Sequence, residues 1–189
     1  MYKRQCFTCP GGSGRFICFY DRGTATGPRS CNSSLDSLSH RLCSVDMCEV
    51  FSPPRVGKGA IKFGMKVGDA MDLTTGWDFN LKSDRDKAEK YIDDHQPLVV
   101  IGSPPCTPFS QLHNWSPDTP ENRRTWNEGV EHMRFVVKLY RKQVDAGRAF
   151  LHEHLAIAKS WGLKEVQKMT NQTRRNDKHG VHHPSAEEK

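Results

Sequence analysis

Hydrophobic positions along this chain form short clusters, and their spacing switches between strand-like and helical. Leu98-Val99-Val100-Ile101 is the most compact cluster, and an apolar run of that length predicts a buried strand. Upstream, Met47 to Phe51 predicts a short strand stopped by Ser52-Pro53-Pro54. Val56 to Phe63 suits a short helix. Lys66 to Leu73 suits a second strand that ends near Asp72, with Thr74-Thr75-Gly76 as a turn. Asp84 to His95 is a polar helix that Pro97 brings to an end. Trp126, Val130, Met133, Val137, Tyr140 and Val144 recur every three or four residues, which places them on one helical face that packs against a core. Thr119 suits the N-cap of that helix, Pro120 its first turn, and Gly147 its stop. Arg148 to Glu153 then predicts another strand. Helices alternating with short strands predict an α/β domain, with a mainly parallel sheet and helices on both faces.

The ends of the chain lack this pattern. Residues 1–45 are rich in Gly, Ser, Arg and Cys without a period, and read as a disordered or artefactual segment. Residues 173–189 read as a disordered tail, which leaves 46–172 as the domain. Six of the seven cysteines, Cys6, Cys9, Cys18, Cys31, Cys43 and Cys48, precede residue 49, so the cysteine count describes the N-terminal stretch. Cys6 and Cys9 have a metal-ligand spacing, but no second close Cys/His pair follows them, which makes zinc the weaker reading. The 189 residues carry a net charge of +6. The charge is spread along the chain, so it favours a polyanionic partner only weakly over a solvated basic surface. No apolar run is long enough to span a bilayer and no signal peptide is visible, so the chain is expected inside the cell, in cytoplasm or nucleus, away from membranes.

The chemistry gathers at the predicted strand ends. Cys106 follows the Leu98–Ile101 strand on a loop stiffened by Pro104, Pro105 and Pro108. In open α/β sheets that edge is where ligands bind. A thiol held there is a candidate nucleophile, and a buried structural cysteine is the competing reading. Glu153 ends a later strand, at the same edge if the strands are parallel, and a carboxyl group there suits protonation of a heterocycle. His152 and His154 flank it on one side of the strand, as a metal pair would, but no third ligand is placed. Asp72 and Asp78 follow a strand end, where acidic residues take ribose hydroxyls or a base amino group, or serve as turn residues. Trp77 and Phe79 beside Asp78 suit a stacking wall or simple core.

Taken together, these residues resemble the DNA (cytosine-5) methyltransferases. Gly102-Ser103-Pro104-Pro105-Cys106-Thr107-Pro108-Phe109-Ser110 is similar to that family's nucleophile motif, and Glu49-Val50-Phe51 to the opening of its first motif. The resemblance covers about residues 46 to 165. It implies a Rossmann-like class I methyltransferase sheet, incomplete here, and S-adenosyl-L-methionine as methyl donor. DNA is the implied partner, with RNA left open. It also implies that Cys106 and Glu153 are catalytic and that Phe51, Asp72, Asp78 and Pro104 bind the cofactor. Asp72 is divided between two acidic positions of the family. The expected reaction is methyl transfer to carbon 5 of cytosine through a covalent Cys106 adduct, with Arg123 and Arg124 holding phosphates or merely forming a solvated helix start.

The chain also departs from the family. Ser52-Pro53-Pro54 stands where the family has a glycine-rich turn, one strand–helix unit is missing or shortened, and Glu153 is followed by His154-Leu155 in place of Asn-Val. The later recognition region is absent, and Gln172-Thr173-Arg174-Arg175 does not replace it. These differences support a second reading, an inactive methyltransferase-like relic that binds a nucleotide or partner. A third reading, a thiol hydrolase, would need His113 as the base for Cys106.

Overall fold

The computed structural model describes residues 14–19, 44–110 and 118–170. Four parallel strands form the body of one sheet: β2 (Met47–Val50), β3 (Val67–Met71), β4 (Val99–Gly102) and β5 (Ala149–Leu155). A fifth strand, β1 (Gly14–Phe19), lies antiparallel to β5 at one edge. The order across the sheet is β1-β5-β4-β2-β3. Helix α1 (Val56–Ala60) with a 3-10 turn, Ile61–Phe63, connects β2 to β3. Helix α2 (Lys82–His95) connects β3 to β4, and α3 (Pro120–Asp145) connects β4 to β5. This is the expected α/β architecture, a mainly parallel Rossmann-like sheet.

Strand alternation divides the buried side chains between the two faces. Cys48, Val50, Val100 and Phe150 point to the face covered by Ala88 and Ile92 of α2 and by Met133, Val136, Val137 and Tyr140 of α3. Met47, Ile101 and Ala60 form a smaller cluster on the opposite face, under α1, with Val67, Val99 and Leu151 against it. Each large side chain that α3 buries contributes about 1.5–3 kcal/mol. The hydrophobic period found the centre of the α3 face. Phe135, Val136 and Leu139 widen it, because this helix also packs against α2 and the loops after β2 and β3.

The helix ends follow local chemistry. Thr119 Oγ1 accepts the Asn122 N–H at 3.1 Å, and Pro120 opens α3. Gln143, buried near the end of α3, donates to the carbonyls of Pro97 and Ala149 at 2.9 and 3.1 Å. It thereby ties the helix to the starts of β4 and β5. Lys142 reaches Glu89 and Asp93 of α2, both at 2.7 Å.

Two features differ in extent from the sequence reading. A strand, β1, lies within the stretch 1–45, which the pattern placed outside the domain. β5 also continues two residues past Glu153, because β1 pairs along its whole length, from Gly14↔Leu155 to Phe19↔Phe150. Among the described residues no helix is long and apolar enough to cross a membrane.

Candidate active site at the strand ends

The chain leaves β2, runs outward to β3, and returns to β4 on the other side of β2. The sheet therefore has its topological switch point between β2 and β4, at their C-terminal ends. In such sheets that crevice is the usual ligand site. The backbone divides there. Phe51 N–H donates to the Met71 carbonyl of β3 at 2.8 Å, while Ser103 N–H donates to the Val50 carbonyl at 3.0 Å. Phe51 sits between these two bonds with φ of 59°, a left-handed conformation that is rare for an aromatic residue. Backbone strain of this kind clusters at functional sites.

The Phe51 ring packs against Phe79 at 4.5 Å, His132 at 5.1 Å and Phe135 at 6.2 Å between ring centres. Asp78 stands next to Phe79 and is partly buried; one carboxylate oxygen accepts the Asn80 N–H at 2.9 Å. Arg85 donates to the carbonyls of Phe79 and Asn80 and holds the loop closed. Burial lowers the pKa of His132, and the nearby Arg85 adds to this, while Glu128 and Asp78 oppose it. Phe51 thus packs on Phe79 and His132, and Asp78 precedes Phe79 in the chain. Phe79 and Trp77 are both buried, and Lys87 lies 4.4 Å over the Trp77 ring. Asp72 is committed locally. It caps the turn after β3, accepting from Thr74 N–H and Thr74 Oγ1 at 2.9 and 2.7 Å.

Glu49 is a residue whose role the sequence pattern did not reveal. It is only 1% exposed. Its carboxylate accepts from Ser52 Oγ at 2.9 Å, Gly57 N–H at 2.8 Å and Val56 N–H at 3.3 Å. A side chain of the preceding strand therefore takes up the free amides at the start of α1. The signal lay in Ser52-Pro53-Pro54, since two prolines cannot supply amide donors to an anion.

Beyond β4, Ser103 to Cys106 lead into a 3-10 turn, Thr107–Phe109. Two glycines let α3 approach this loop closely. A Cβ on Gly102 would overlap the Tyr140 hydroxyl and come within 2.7 Å of Val136 Cγ2. A Cβ on Gly129 would lie 2.6 Å from Pro108 Cβ. Phe109 is fully buried, edge-on to Trp126 at 5.2 Å, and its N–H donates to the Cys106 carbonyl at 3.0 Å. Pro104 is buried, whereas Cys106 is partly exposed and free. Cys48, also free, is fully buried in β2. Its thiol is pushed up to about 12 by burial, with Asp69 and Glu49 adding to the effect.

Glu153 lies on β5 one residue past the Gly102↔His152 pair, on the strand next to the one that leads to Cys106. It is partly buried and faces the side of the sheet opposite His152 and His154. No hydrogen bond joins it to Cys106. His152 and His154 are buried with rings stacked 5.5 Å apart. Among the described residues no group of three His, Cys, Asp or Glu side chains is arranged to hold a metal ion. Arg123 faces Asp118 at 2.8 Å and Arg124 faces Glu128 at 3.6 Å. Cys6, Cys9, His113 and residues 172–175 lie outside the described residues.

The parallel sheet thus carries Phe51, Asp72, Asp78, Pro104, Cys106 and Glu153 at its C-terminal edge. Within that set, Phe51 packs on Phe79, the residue after Asp78, and Glu153 lies on the strand beside the one that leads to Cys106. No protein-family model, curated protein or solved structure matches this chain.

Proposed function

We propose that this domain transfers a methyl group to carbon 5 of cytosine, using Cys106 as the nucleophile and S-adenosylmethionine as the donor. One observation carries the reading. A partly exposed thiol stands on a loop pinned by close glycine contacts, beside the switch point, with a carboxyl group on the adjacent strand.

The chemistry follows from those two groups. The Cys106 thiolate forms an S–C6 bond, and the C5=C6 electron pair shifts into the ring toward N3. The Glu153 carboxyl hydrogen-bonds and protonates N3, which neutralises the developing charge and leaves carbon 5 nucleophilic. S-adenosylmethionine, when bound, supplies the electrophilic methyl group. Loss of the carbon 5 proton to water and cleavage of the S–C6 bond then return the thiolate, and N3 gives its proton back to Glu153 to leave the aromatic base. The rigid loop holds the sulfur in place, so little orientational freedom is lost at attack. A base within a duplex must leave the stack first, at a cost of a few kcal/mol.

The donor set at the switch point suits the adenosine end of the cofactor. The Phe51 ring offers an apolar face, and the partly buried Asp78 carboxylate offers an acceptor to an amino group. These two residues would hold it. The α1 end is less suited to the methionine end, because Glu49 already takes the Val56 and Gly57 amides. That observation favours a second reading, a nucleotide-binding domain that does not turn over.

Exchange of tritium from DNA labelled at carbon 5 of cytosine separates the two. Reversible addition of Cys106 releases tritium to water without any methyl donor. Release by the unaltered chain, lost in Cys106→Ala, is the expected result. Nucleoside binding with no release from DNA or RNA would overturn the enzymatic reading and leave the second.

A further inference from the structure

Helix α1 and the turn after it bury their small residues and expose their large apolar ones. A Cβ on Gly57 would lie 2.7 Å from Val67 Cγ1, and Ala60 packs with Met47 and Ile101. Val56, by contrast, is 47% exposed, Ile61 is 61% and Phe63 is 87%, and Met65 is exposed as well. A helix seated on a sheet for stability alone would bury such side chains, so their exposure marks a contact surface. The backbone that carries them is fixed. Gly64, at φ of 76°, donates its N–H to the Ile61 carbonyl at 3.0 Å. Lys66 donates its N–H to Asp46 Oδ2, and its carbonyl accepts the Asp46 N–H, both at 2.7 Å. The charge of this segment has one sign. Arg55, Lys58, Lys62 and Lys66 are exposed, and no acidic residue occurs between Arg55 and Lys66.

We propose that this surface binds single-stranded nucleic acid, with Phe63 stacking on an unpaired base and Arg55, Lys58, Lys62 and Lys66 holding backbone phosphates. Charge complementarity calls for an anionic partner. The stretches of chain outside the described residues do not supply one, since each carries at least as many Lys and Arg as Asp and Glu. A ring 87% exposed projects from the surface, as a stacking platform does, and does not line a groove of the kind that receives a peptide helix. The exposed apolar side chains come from a five-residue helix and a turn, without the continuous apolar face that lies in a lipid surface. The surface works without Cys106. Its Phe63–Lys66 end lies beside the starts of β2 and β3, at the sheet edge opposite the Cys106 loop. It gives the domain a second hold on a strand, indifferent to sequence because every base has a face to stack.

Fluorescence anisotropy of labelled oligo(dT), which contains no cytosine, tests this independently of methyl transfer. Phe63→Ala is expected to weaken binding about fivefold to a hundredfold, and Phe63→Trp to preserve it. Each phosphate contact adds about 0.7 to the slope of log Kd against log salt, so Lys58→Gln with Lys62→Gln should lower that slope by about 1.4. All these side chains are exposed, so the substitutions leave folding nearly unchanged, which thermal unfolding checks. Failure of the unaltered chain to bind oligo(dT) at low salt overturns the proposal. So does binding by Phe63→Ala as tight as that of the unaltered chain, or an unchanged salt slope in the double lysine variant. Co-sedimentation with phosphatidylserine vesicles that is lost in Phe63→Ala, while oligo(dT) binding stays the same, overturns it in favour of a lipid surface.

Discussion

Acidification from pH 8 to pH 5 should destabilise this domain strongly, and the buried histidine pair sets the size of the effect. Burial lowers the pKa of His152 to about 3, with His154 adding to the shift. It lowers that of His154 to about 4, partly offset by the Pro104 carbonyl. In the unfolded chain both rings take a proton at about 6.5. Below that pH the unfolded state binds more protons than the folded state, so stability falls as pH falls, and the loss continues down to the folded values. At pH 5 each ring accounts for about 2 kcal/mol, so the pair removes about 4 kcal/mol from a domain whose total stability is of order 5–15 kcal/mol. For a chain of this size that corresponds to a fall in Tm of about 8–16 °C. Thermal unfolding followed by circular dichroism at pH 8, 7, 6 and 5 measures it. His132 acts in the same direction and adds to the slope. The carboxylates of Glu89 and Glu165, with lowered pKa values, lose their contributions at lower pH and leave the upper part of the window to the histidines. Replacing both rings, as His152→Phe with His154→Phe, should flatten the curve between pH 6.5 and 5. A Tm constant across that range in the unaltered chain would refute the reasoning.

Further predictions concern the loops around the switch point. Gly102→Ala forces a methyl group into Tyr140 and Val136, and urea unfolding should show a loss of about 1–3 kcal/mol. Gly129→Ala gains helix propensity but pushes on Pro108, so Cys106 should alkylate faster even where stability changes little. Glu49→Gln sets an amide N–H against the donors of Ser52 and Val56, and should cost about 1–3 kcal/mol in the same urea measurement.

Much of the fold was legible because it is written locally. Leu98 to Ile101 reads as a buried strand, and Thr119-Pro120 suits the start of a helix. The mainly parallel sheet then followed from the alternation of strands and helices. β1 was not legible, because Gly14–Phe19 owes its place to pairing with β5 rather than to any period of its own. Gln143 and Glu49 were hidden for a different reason. Both are polar residues buried by long-range hydrogen bonds, and no pattern of hydrophobic spacing marks such positions. At the site, the rigid loop of Cys106 could be read from its prolines. The opposition of Glu153 to the two histidines could be read from strand alternation. The contact of Tyr140 with His152 could not, because it depends on how α3 crosses the ends of β4 and β5.

The central claim is a covalent bond between Cys106 and a cytosine ring. DNA in which the target base is 5-fluorocytosine, incubated with the chain and S-adenosylmethionine, tests it most directly, because fluorine at carbon 5 cannot leave as a proton and the adduct persists. The account predicts a denaturation-resistant protein–DNA species whose cross-linked peptide contains Cys106 and which is lost in Cys106→Ala. No such species, from a chain shown to bind the methyl donor and DNA, would contradict it.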